Sequence, residues 1–226
     1  MSAHRNLGAA SRLDRLTQWP QRHWLAALVG FLLAYALLPF AAPLLMQAGA
    51  PELAQLIYAP YKFTCHTFGF RSFYLFGPAL AYDRPTFEQL SSINTATAQG
   101  LLAARDFIGN ARMGYKVALC QRDIAIYLAM GLNGLAYSAV RGRARPLPWT
   151  MFVLIGVLPL GVDGLSQLLS QPPFALLPYR ESTWLLRLIT GGLFGTSVAW
   201  LVFPLLDGFV SETAPAIPHP QTWVKE

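Results

Sequence analysis

Four apolar runs constrain this chain more than any other feature: residues 24–46, 117–140, 149–170 and 184–210. A helix of about 20 apolar residues crosses the ~30 Å hydrocarbon layer of a bilayer. The fold class expected is all-α, an integral membrane bundle of four transmembrane helices with a short extra helix on the outer side. Composition agrees, because only 12% of the residues are charged and 54% are hydrophobic, whereas soluble domains carry about 25% charged residues.

The organisation expected is a cytoplasmic tail at 1–22, a membrane domain at 23–210 with an outer segment at 51–116, and a C-terminal tail at 211–226. The sequence "AGA" at 48–50 has the small residues of a signal-peptide cleavage site. The run before it exceeds the ~15-residue limit of a signal core, so an uncleaved first helix is expected. Pro51 suits the first turn of a helix and Pro60 is expected to kink or end it. The stretch 97–112 has helical spacing of Leu101, Leu102, Phe107 and Ile108, which predicts an amphipathic helix.

Basic residues set the orientation. Arg5, Arg12, Arg15 and Arg22 crowd the N-terminal tail, and Arg141, Arg143 and Arg145 fill the short loop after the second run. Short basic loops stay cytoplasmic. Both termini are therefore expected in the cytoplasm, in a bacterial inner or plasma membrane. Arg112 and Lys116 fall on the other side and count mildly against this. The net charge is +6, but the basic residues gather at helix ends, so the partner implied is the lipid bilayer, with a membrane-protein partner or a homo-oligomer, and no nucleic acid.

With that orientation the rare polar side chains of distant segments reach one depth near the outer face. Cys65 and His66 follow the first run. Cys120, Asp123 and Tyr127 share a face at i, i+3, i+7, with Arg122 pointing elsewhere. Asp163 and Gln167 lie late in the third run, and Arg187 and Thr190 early in the fourth. Each ionisable group inside a span costs roughly 2.5–3.5 kcal/mol, so each needs a partner or a wet cavity. Gly191 and Gly195 fit a small-xxx-small stripe for close helix packing.

Cys65, His66, Cys120 and Asp123 offer two thiols, an imidazole and a carboxylate, a ligand set for zinc or iron. Asp163 could act as base or outer support, and Arg187, with Arg71, could clamp an anion. Three readings of the cysteines stand side by side: a metal site, a Cys65–Cys120 disulfide on an oxidising face, and simple packing. An Asp163–Arg187 ion pair holding the third and fourth spans together is the structural alternative to catalysis.

The order Cys65-His66, Arg71-Ser72-Phe73, Cys120-Gln121-Arg122-Asp123 with Tyr127, Asp163-Gly164 with Gln167, and Arg187 with Thr190-Gly191 resembles an uncharacterised integral membrane family, domain of unknown function 2085. The likeness covers roughly residues 60–195. The family pattern has Cys-x-Arg-Cys where this chain has Cys120-Gln121-Arg122-Asp123, so the site the resemblance implies becomes more oxygen-rich here. It implies no activity. The function expected is a metal-dependent membrane protein, extending to an enzyme on a lipid-like or quinone-like substrate. The alternatives are a non-enzymatic subunit of a membrane complex with the disulfide, and a small transporter.

Overall fold

The computed structural model describes residues 22–171 and 174–212. The expected tails lie outside the described residues, except for Arg22, Ser211 and Glu212, and so do Pro172 and Pro173.

Four helices are long and apolar enough to span a membrane: α1 (Arg22–Gln47), α5 (Gln121–Val140), α6 (Trp149–Leu169) and α7 (Trp184–Glu212). Between α1 and α5 lie α2 (Pro51–Thr64), β1 (Ser72–Leu75), α3 (Arg84–Ser91), α4 (Ala98–Asp106), β2 (Gly109–Asn110) and β3 (Gly114–Cys120). The chain folds as the expected helical membrane bundle, with a small antiparallel sheet of order β1-β3-β2 at one end.

Proline marks the irregular turns. In α1 a 3-10 turn at Leu38–Phe40 contains Pro39, and in α6 a wide π segment, Phe152–Val157, runs up to Leu158-Pro159. Pro159 has no N–H to complete the helical ladder, and a π segment is one way to absorb that gap. Pro60 does not end α2, which continues to Thr64. The last turn is held by Tyr61 and Thr64, whose side chains bond to Tyr35 of α1 at 2.8 and 2.6 Å. The expected helix over 97–112 stops at Asp106. Phe107 turns extended, and Gly109 takes a φ of +148° that a side chain would resist.

The second span starts later than the apolar run implies. Residues 117–120 belong to β3, whose register pairs Ser72 with Cys120 and Tyr74 with Lys116. Val117, Ala118 and Leu119 are buried against Tyr58, Tyr61 and Phe73. A second outer cluster gathers Phe70, Tyr74, Phe87 and Met113. Inside the bundle, Leu25, Val29 and Leu32 of α1 meet Tyr137 of α5 and Phe203 of α7.

The α5–α7 contact is close because the glycines of α7 allow it. A Cβ on Gly195 would lie 2.3 Å from the carbonyl oxygen of Ile126, and one on Gly191 would lie 2.7 Å from that of Arg122. Asn133 clips the pair, donating to Thr196 at 3.1 Å and accepting from Trp200 at 2.7 Å. On α6, Leu154, Val162 and Leu165 are more than half exposed, as befits side chains whose solvent is lipid. At the end away from the sheet, Arg141 bonds Asp207 at 2.8 Å and lies over Trp24.

Candidate functional site

Cys65 comes to the site because α2 ends there. Its N–H makes the last helical bond to Tyr61 at 3.0 Å, and its own backbone is extended. The loop that follows is held by Lys116 of β3, 2% exposed, whose ammonium donates to the carbonyls of Thr67 at 2.7 Å and Arg105 at 2.8 Å. Thr67 has a φ of +46°, unusual for a β-branched residue. Cys120 is the last residue of β3 and the N-cap of α5, with no side-chain cap bond. Asp123 sits in the first turn of α5, where the helix dipole favours a negative charge.

The two sulfurs and an Asp123 carboxylate oxygen converge within 4.8 Å of one another. Both cysteines are free thiols. The adjacent Cys120 thiol pulls the Cys65 thiol below its ordinary range despite burial and the nearby Asp123 carboxylate. The adjacent Cys65 sulfur, together with burial, pushes Cys120 well up. Cys65 is therefore the first of the pair to become a thiolate, the form that binds metals and attacks electrophiles.

His66 does not join that grouping. Its ring stacks on Phe68 with centroids 5.7 Å apart. It still lines the same cavity of about 290 Å³, together with Cys65, Cys120, Asp123, Arg122 and Arg187.

Asp163 and Arg187 are both buried but do not pair with each other, which corrects the expected ion pair. Asp163, 3% exposed, accepts from Arg180 at 2.8 Å, from Ser182 at 2.7 Å and from Arg122. Arg187 donates to Glu181 at 2.5 Å and to Gln121 at 3.1 Å. Glu181 also receives Arg71 at 2.9 Å, Gln171 at 3.0 Å and the Gln167 amide. Arg122, expected to face away, lines the cavity and reaches Asp163.

Sequence reasoning missed Arg180, Glu181 and Ser182, which sit in the loop between α6 and α7. The signal for them was a charge deficit. Arg122, Asp163 and Arg187 all needed partners, and this loop supplies an Arg-Glu-Ser run between two spans. Arg71 also lies over the rings of Phe68 and Phe70 at 5.5 and 5.3 Å.

Residues 110–201 match the model of a family described as "Predicted membrane protein (DUF2085)", the family that the residue pattern resembles. An uncharacterised protein of Methanocaldococcus jannaschii is 24% identical over 191 residues, covering 82% of this chain and 93% of that protein. No solved structure matches the chain.

Proposed function

We propose that this chain is a metal-binding integral membrane protein whose site lies at the non-cytoplasmic end of the bundle, with Cys65, Cys120 and Asp123 as ligands. One observation carries the reading. Asp163 and Glu181, which pair with the cavity arginines Arg122, Arg71 and Arg187, are each held by two arginines, whereas Asp123 has no ion-pair partner among the described residues and faces two thiols instead. A divalent cation would be the direct ionic partner that Asp123 lacks. Two sulfurs and a carboxylate suit zinc or iron. Three protein ligands leave one tetrahedral position for water or for a ligand from the cavity, which is the pattern of a reactive rather than a purely structural site.

The orientation rests on the loop of Arg141, Arg143 and Arg145, which follows α5 at the end opposite the site. Basic loops of this length stay cytoplasmic, so both termini are cytoplasmic and the thiols face outward. Catalysis, on a lipid-like or quinone-like molecule, is the extension of this reading that an open metal position allows. Asp163 is an outer support in it, because its oxygens already accept from three side chains.

Metal analysis of detergent-purified protein tests the proposal. About one equivalent of bound zinc or iron is expected, lost in Cys65→Ser and in Cys120→Ser. Protein without metal whose thiols react only after reduction would replace the metal site with the disulfide.

A further inference from the structure

We infer that the cavity beside Cys65, Cys120 and Asp123 binds an oxyanion, either free phosphate or the phosphate head of a lipid, through Arg122 with Arg71 and Arg187. This names the ligand class of the site proposed above. It shares the cavity with that reading but does not depend on the metal.

The charges of the arginine network beside the cavity do not cancel. Arg71, Arg122, Arg180 and Arg187 surround Asp163 and Glu181, which leaves two guanidiniums in excess. Asp123 removes one of these positive charges if the thiols are neutral. Asp123 and two thiolates around a divalent ion leave the same single negative charge. In both states one positive charge is left over among four guanidiniums, of which Arg187 is 5%, Arg122 22%, Arg71 27% and Arg180 39% exposed. Buried charge without compensation is costly.

The second observation is independent of that count. Arg71, Arg122 and Arg187 all line one cavity, where Asp123 is the one carboxylate among the described residues. The cavity at Arg122 measures about 290 Å³, ample for an oxyanion. Guanidinium presents its N–H groups in a planar fork that fits phosphate oxygens. The thiols add a surface that an oxyanion would not choose by itself, so the arginine side is what defines the ligand.

The test is calorimetric titration of detergent-purified protein with inorganic phosphate and with dihexanoyl phosphatidate, using dihexanoyl phosphatidylcholine as the zwitterionic control. Binding of phosphate alone, or of phosphatidate more tightly than phosphate, supports the inference and tells the free ion from the lipid head. Arg122→Lys keeps a cation for Asp163 but removes the planar guanidinium fork, and it is expected to weaken binding about tenfold or more. Arg71→Gln changes a partly exposed residue and serves as the second variant if Arg122→Lys does not fold. The inference is overturned if neither phosphate compound binds wild-type protein, if phosphatidylcholine binds equally well, or if the folded variants bind undiminished. Repeating the titration after chelation separates the two readings. Stoichiometric metal with no oxyanion binding would sink this inference alone, and oxyanion binding to protein that never held metal would sink only the metal site.

Discussion

Asp163→Ala should destabilise the bundle strongly, because this carboxylate ties α5, α6 and the α6–α7 loop together. Its side chain is 3% exposed, as are 22% of Arg122 and 39% of Arg180. The Arg122 pair is the larger loss, since removing one partner leaves a guanidinium poorly solvated; that change costs about 2 kcal/mol. The Arg180 pair is screened by solvent and counts for about 0.5 kcal/mol. The Ser182 bond adds about 1 kcal/mol. The total of about 3.5 kcal/mol sits within the range for breaking a buried ion pair. For a chain of this size each kcal/mol lowers Tm by about 2–4 °C, so a drop of about 7–14 °C is expected. Tryptophan fluorescence and size-exclusion profiles on heating in detergent would read it. Asp163→Asn keeps an oxygen for Ser182 and should lose less. If Asp163→Ala melts within about 2 °C of wild type, the ion-pair network is not structural. Asp163 would then be free to serve as a base.

Two further outcomes test the packing and the outer sheet. Gly195→Val should destabilise the α5–α7 contact by at least about 1–3 kcal/mol, since the new Cβ meets the immovable Ile126 carbonyl at 2.3 Å, whereas Gly192→Ala, with nothing within 4 Å, should melt like wild type. Lys116 is pushed from 10.5 down to about 7, chiefly by burial. Between those two pH values the unfolded chain binds more protons than the folded one. Stability should therefore rise as pH increases from 7 towards 10, and Lys116→Met should abolish that part of the rise in a thermal-melt series.

The spans were legible because apolar length is a blunt signal that needs no context. Their outer ends were less so. Val117, Ala118 and Leu119 satisfy a buried strand as well as a helix, and only pairing with Ser72 and Tyr74 decides for β3. The Arg122 error has another cause: Arg122 and Asp123 share the first turn of α5, and the long Arg122 side chain lines the cavity and reaches Asp163. Cys65, Cys120 and Asp123 could be found from rarity and depth alone. His66 shows the limit of that approach, because adjacency to Cys65 does not bring its ring, stacked on Phe68, into the group with the sulfurs. Arg180, Glu181 and Ser182 lay in a loop whose prolines drew attention to its turns rather than to its charges. Their roles become visible only when Arg71, more than a hundred positions earlier, is placed against Glu181.

X-ray absorption of the metal in purified protein bears most directly on the ligand set. The expected spectrum shows two sulfur neighbours at about 2.3 Å with oxygen or nitrogen at about 2.0–2.2 Å, and loss of one sulfur in Cys120→Ser. Protein that binds no metal, or a metal with no sulfur neighbours, would contradict it.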